Sequence, residues 1–260
     1  MIDGLDPATI ALLLLTALAA GWIDAVTGGG GMLQVPALLL SYPQSPASVA
    51  LGTNKVASVF GTATATATYL RKIRPRMATA LPMALAAFAA ALLGSRTAVV
   101  LPKEVIEPII VVALSAVWVF MLLRPTLGVE ESLRYPSGRR HYVIAITAGA
   151  AIGFYDGMVG PGTGSFLILV LVAGLGYSFL NASVTAKIVN LGTNIAAILV
   201  FGAADSIIWT VGLLMALANV TGAFVGARTA LKRGSRFVRG VFLVVVALLI
   251  LRLAWNIVVG

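Results

Sequence analysis

Four ionisable residues stand inside otherwise apolar sequence, and they are the residues with chemistry to offer. Asp24 lies in GWIDAVTGGGGML, Gly21 to Leu33, and Asp156 in GFYDGMVGPGTGSF, Gly153 to Phe166. Each aspartate ends an apolar run that a cluster of glycines then breaks. Lys55 and Lys187 follow, in the polar clusters Thr53, Asn54, Lys55 and Lys187, Asn190, Thr193, Asn194. A charged side chain in apolar sequence costs on the order of 3 kcal/mol by insertion scales, so it has a partner or a purpose.

The chemistry such a set offers is anion binding. A short helix that begins just after a glycine break presents backbone N–H groups with no helical partner, and its dipole adds about half a positive charge at that end. Gly29, Gly30, Gly31 and Gln34 occupy that position after the first break, and Gly162, Thr163, Gly164 and Ser165 after the second. Two such ends and two lysines make a site for a small anion. The aspartates have two readings: they lock the turn by accepting free N–H groups, or they carry a coupled proton. The lysines have an alternative too, reaching along the helix to a membrane interface. Gly222 and Gly226 read as close helix packing and Asn219 as a hydrogen bond between helices.

Composition sets the environment. With 60% apolar and 10% charged residues and a mean hydropathy of +1.02, the chain is far more apolar than a soluble domain. It is expected to cross a membrane several times. The formal charge of +9 does not point to nucleic acid, because 13 of the 18 basic residues fall in three clusters between apolar spans, at 71–76, 124–140 and 228–239. Such clusters mark cytoplasmic loops. There is no cysteine and one histidine, His141, read here as a loop residue, so no histidine or cysteine metal site is expected, and no cofactor. GxSxG, HExxH and a lysine-terminated phosphate loop are all missing, which argues against an enzyme. The start, MIDGLDP, lacks the basic region of a cleaved leader, so the first apolar segment is expected to stay.

The elements that must position these residues follow from apolar length. Spans are expected at residues 7–27, 47–70, 77–100, 105–123, 142–159, 182–201, 207–231 and 238–259, with short pieces at 32–41 and 165–175. Ten residues of helix rise only about 15 Å, too little to cross, so each long–break–short unit reads as a re-entrant hairpin. The polar stretch 125–141 divides a first repeat, 1–124, from a second, 142–260. Asp24 and Asp156 lie 132 residues apart, and Gly28 and Gly30 then fall over Gly160 and Gly162. GSRTA at Gly94 answers GARTA at Gly226, and ASV recurs at Ala47 and Ala182. Anchored on ASV, Lys55 matches Asn190 and Gly52 matches Lys187. Equivalent loops carry opposite charge: 71–76 holds four basic residues where 203–206 holds none and Asp205, and the order reverses after GSRTA and GARTA. The halves are therefore expected to be inverted in the membrane, which an odd number of crossings per half permits.

The motifs GWIDAVTGGGGMLQVPALL, ALGTNKVASVFGTATATATYLRK, GFYDGMVGPGTGSF and TAKIVNLGTN together resemble the sulfite exporter TauE/SafE family of membrane permeases, over essentially the whole chain. That resemblance implies export of sulfite, sulfoacetate or another small sulfur oxyanion through a multi-pass protein of the cell inner membrane. The expected architecture is all-α, with two inverted repeats, each a broken hairpin plus three spans, and a secondary-transporter site at the bilayer midplane. The partners are the anion and the bilayer, and homodimerisation stays open. With the cytoplasm negative, expelling one negative charge releases about 2.3 kcal/mol per 100 mV, so export requires no coupling ion, while Asp24 and Asp156 leave proton coupling open. An anion channel and a proton-coupled carrier of another organic anion are the rival readings.

Overall fold

Residues 6–98, 123, 128–135 and 138–259 are described by the computed structural model. Among them every regular element is helical. In order they are α1 (Pro7–Thr27), α2 (Gly31–Ser41), α3 (Ala47–Leu70), α4 (Met77–Thr97), α5 (Arg139–Met158), α6 (Thr163–Leu169), α7 (Phe179–Ala203) and α8 (Trp209–Val259). A π-helical turn, Val170–Gly174, prolongs α6. The span expected at 105–123 lies outside the described residues, apart from Leu123. The two expected last spans form one helical stretch broken at Gly234, whose φ of 73° and ψ of −173° no helix contains.

Local sequence sets the ends. Asp6 caps α1, its Oδ1 accepting from the Thr9 N–H at 2.6 Å, and Pro7 occupies the first turn, where its missing N–H costs nothing. Ser178 caps α7 in the same way through Asn181. Gly28 closes α1 in the left-handed region at φ 81°, and Gly160 takes the equivalent conformation at φ 87° after α5.

Helix packing follows small residues. α1 lies along the first part of α8, with Gly21 against Asn219 and Ala223, and Gly222 and Gly226 against Leu18 and Trp22. α4 lies along α5 in the same manner, with Gly149, Gly153 and Gly157 against Met83, Ala87 and Ala91, and Gly94 against Phe154. Without a hydrophobic drive between helices in lipid, such close backbone contact is what holds them. The packing reading of Gly222 and Gly226 is thus observed, and Asn219 donates from Nδ2 to the Ala17 carbonyl at 3.2 Å.

Contact order gives the helix directions. Along α1 and α8, along α4 and α5, and along α3 and α8 (Val56 with Gly212, Gly61 with Asn219), contacts advance together, so each pair is parallel. α3 and α7 run oppositely, because Gly52 meets Phe201 while Thr62 meets Asn194. Since α1 and α3 both parallel α8, α2 returns the chain between them, and α1 with α2 forms a hairpin. α3 and α4, though joined by a short loop, make almost no contact; α3 packs on α8 and α4 on α7.

His141 is not a loop residue. It sits in the first turn of α5, 2% exposed, with Nδ1 2.7 Å from the Tyr135 carbonyl and Nε2 2.8 Å from Thr79 Oγ1, which also accepts from the Tyr177 hydroxyl at 3.2 Å. Both ring nitrogens are thereby used, and the imidazole ties the starts of α4 and α5 to the turn before α7.

Gly153 allows a direct test of the packing. A Cβ there would lie 2.4 Å from the Ala87 carbonyl oxygen, whereas one on Gly240 meets nothing within 4 Å. Gly153→Ala should cost about 1–3 kcal/mol and lower the melting temperature in detergent, while Gly240→Ala leaves it unchanged or higher. Equal melting temperatures for the two variants would contradict this packing.

Candidate functional site

The two glycine breaks touch. A Cβ built on Gly28 would lie 2.3 Å from Gly164 Cα, and one on Gly164 would lie 2.3 Å from Gly28 Cα, so backbone passes against backbone with no room for a side chain on either. Ser165 Oγ donates to the Thr27 carbonyl at 2.9 Å, fastening the second break to the first. Gly31 faces Pro161 and Asn54.

Ion pairs cross this junction. Lys55 Nζ lies 2.7 Å from Asp156 Oδ2, and Lys187 Nζ lies 2.7 Å from Asp24 Oδ2. Each aspartate, at the C-terminal end of a broken helix, is thus neutralised by a lysine from the opposite half of the chain. Both lysines are the ninth residue of their helices, α3 and α7. They lie 132 residues apart, the spacing that also relates Asp24 to Asp156 and GSRTA to GARTA. This corrects the register taken from the ASV repeat: Lys55 corresponds to Lys187, not to Asn190, and ASV is the one landmark out of step. The helix–helix contacts obey the same shift, Gly153–Ala87 answering Gly21–Asn219 and Gly94–Phe154 answering Gly226–Trp22.

Among the described residues, no backbone N–H donates to either aspartate side chain. Asp156 Oδ1 accepts from Thr163 Oγ1 at 2.6 Å, and Asp24 Oδ2 lies 3.4 Å from Thr62 Oγ1. The second contact is weak, and the counterpart of Thr163 in the first half is Gly31, which has no side chain to give. Asp156 is accordingly 2% exposed and Asp24 16%.

Around the pairs the predicted residues divide. Gln34 is fully buried; its Oε1 accepts from Ser58 Oγ at 3.3 Å and its Nε2 has no partner. Asn54 is buried beside it, with Ser58 Oγ 3.5 Å from its Oδ1. Asn194 Nδ2 reaches Thr62 Oγ1 at 3.5 Å, and Asn190 Oδ1 accepts from Thr193 Oγ1 at 3.3 Å. Thr53 is directed elsewhere, since its hydroxyl accepts from the Ile208 N–H at 3.0 Å, just before α8. Among the described residues, no carbonyl accepts from the N–H groups of Gly29, Gly30, Gly31, Gly162, Gly164 or Ser165. Gly30 packs against Ala20 and Asp24, and Gly162, at φ 87°, precedes α6.

Ser58 and Thr62 join the site without having been singled out. Asn54, Ser58, Thr62 and Thr66 recur every four residues, one polar stripe on one face of α3. That spacing was the available signal.

A multi-pass helical membrane protein with buried, cross-paired charges at broken helices belongs with membrane transporters. The sulfite exporter TauE/SafE family profile matches residues 13–253, and the chain belongs to that family. Relatives agree over nearly full length. A probable membrane transporter protein, ORF9, of a Sinorhizobium species is 38% identical over 245 residues, covering 94% of this chain and 92% of its own. The Escherichia coli K12 probable membrane transporter protein YfcA is 31% identical over 251 residues, covering 96% and 91%. A probable membrane transporter protein of Haemophilus influenzae is 30% identical over 230 residues, with 88% of each chain covered. No solved structure matches the chain significantly.

Buried pairs make a sharp prediction, because removing one partner strands the other charge. Lys55→Met should cost about 3–5 kcal/mol at neutral pH, and adding Asp156→Leu should recover most of it. Thermal unfolding in detergent measures both; a double variant no more stable than Lys55→Met would contradict the pairing.

Proposed function

We propose that this protein is a secondary transporter of the cell inner membrane that exports sulfite or a related organosulfonate by alternating access. Its anion site lies at the bilayer midplane, where the two glycine breaks meet. The observation that carries this reading is the convergence of donors where the breaks meet: the N–H groups of both breaks without a carbonyl partner and the unpaired, buried Gln34 Nε2, beside two lysines held by aspartates. An oxyanion with three oxygens suits such a cluster, since each oxygen accepts more than one hydrogen bond. The ninth residue of a helix lies about 12 Å from its start, which puts both lysines near the middle of a core roughly 30 Å thick.

The repeats, 1–124 and 142–260, are inverted relative to one another in this reading, with 125–141 as a cytoplasmic linker. Support comes from the opposite run of α3 and α7, the parallel run of α1 with α8 and of α4 with α5, and the reversed loop charges. Inverted repeats with broken helices are the architecture of many secondary transporters. The chain has no cysteine, so single cysteines can be placed and labelled without background. Cysteine at Lys72 should react with an impermeant maleimide only from the cytoplasmic side, and cysteine at Asp205 only from outside. Labelling of both from one side would contradict the inversion.

Transport itself is tested in proteoliposomes. Saturable sulfite and sulfoacetate uptake with counterflow is expected; flux without saturation or counterflow would contradict a carrier and favour a channel. Gln34→Leu should leave the fold intact, because it loses only the long bond from Ser58, whose hydroxyl keeps Asn54 Oδ1 within reach, yet weaken anion binding by about 1.5–3 kcal/mol. Unchanged affinity would remove Gln34 from the site.

A further inference from the structure

The centre at the breaks is formally neutral. Asp24, Lys55, Asp156 and Lys187 are two acids and two bases in contact, and beyond the first turn of α5 no other charged residue stands in α1, α3, α5 or α7. An anion added here arrives as an uncompensated charge in low dielectric, which is costly unless a positive charge comes with it. The lysines cannot serve as that charge for free, because each already answers an aspartate.

The two pairs are not equivalent. Asp156 is held from two sides, by Lys55 and by the Thr163 hydroxyl, and is almost fully enclosed. Asp24 has Lys187 and only the long contact to Thr62, and it is the most exposed of the four. The other groups around Asp24 offer it no second charge. From α3, Tyr69 spends its hydroxyl on the Ala25 carbonyl at 2.9 Å; from α2, Gly30 presents backbone; from α8, Gly222 and Gly226 pack on α1 without charge; from α6, Ser165 binds the Thr27 carbonyl. Lys187, fully buried, is the single cation in contact with Asp24 among the described residues.

On the reading that this site binds an anion, we infer that the protein carries a proton together with each anion, and that Asp24 is the proton's seat. When the anion takes the ammonium of Lys187, the Asp24 carboxylate is left beside a like charge and takes up one hydronium proton from the aqueous phase on that side. When the anion leaves, Lys187 returns to Asp24 and the proton is released on the same side as the anion. No bond other than O–H forms or breaks. A monovalent sulfonate then crosses with no net charge, and export runs on the anion's own gradient and the pH difference rather than on the membrane potential.

The test uses the full-length protein in proteoliposomes loaded with isethionate, a monovalent sulfonate, and an internal pH dye, with potassium and valinomycin setting the voltage. Isethionate efflux should alkalinise the lumen in step, and a 100 mV change should leave the final distribution unmoved. For an anion carried alone, the same change shifts that distribution about fiftyfold. Asp24→Asn should abolish the proton movement and confer that voltage dependence on whatever efflux remains. Purified wild-type protein in weakly buffered detergent should also take up about one proton per isethionate bound, a readout that needs no variant. Wild-type efflux that is voltage-dependent and without a pH change, or proton movement retained in Asp24→Asn, would overturn the inference. Absence of saturable transport or binding of any sulfonate would overturn the transport reading beneath it.

Discussion

A charge inside a bilayer must be neutralised, and in this protein the partner comes from the other half of the chain. Lys55 with Asp156 and Lys187 with Asp24 are reciprocal, so neither half is electrically complete without its counterpart. The pairs also fix where the broken helices can end. Asp24 and Asp156 stand four residues before Gly28 and Gly160, whose left-handed conformation turns each chain, and the lysines hold those turns against each other. Backbone contact between Gly28 and Gly164 is possible only because neither carries a side chain.

The helices are grouped across the sequence halves. α1 and α3 pack on the first part of α8 with α2 against α1 and α3, whereas α4 packs with α5 and α7; α3 also lies along α7. The short loop 71–76 carries the chain from one group to the other. Both ion pairs span the line between the groups, with Asp24 and Lys55 on one side and Asp156 and Lys187 on the other. The packing of α3 along α7 crosses the same line. The two pairs are unequal: Asp24 is less buried than Asp156 and lacks a counterpart to its short bond from Thr163.

Much of this was written in the sequence. The ends of α1 and α3 match the apolar runs because proline, aspartate and glycine punctuate them, and the 132-residue spacing that the ion pairs share is legible in Asp24, Gly28 and GSRTA. The register of the lysines was not, because three residues of alanine, serine and valine are common currency in apolar helices and fell out of step by one turn. Pairing was not legible either. Which acid meets which base depends on how α3 crosses α5 and α7 crosses α1, and side-chain types along one helix say nothing of that. His141 follows a basic run that by composition reads as loop, and only the packing of Thr79 and the Tyr135 carbonyl around it makes it helical and buried. In the sequence Gln34 is a polar residue near a break; its unpaired amide nitrogen is a property of the packed site alone.

The central claim is that an anion sits at the meeting of the two breaks, beside the Lys187–Asp24 pair. A long-wavelength anomalous map of crystals grown with sulfoacetate tests it most directly, with the methionine sulfurs as internal markers. A sulfur peak is expected within hydrogen-bonding reach of the Gln34 amide and Lys187 Nζ, between Gly31 and Gly164. A peak in a basic loop, with the breaks empty, would contradict it.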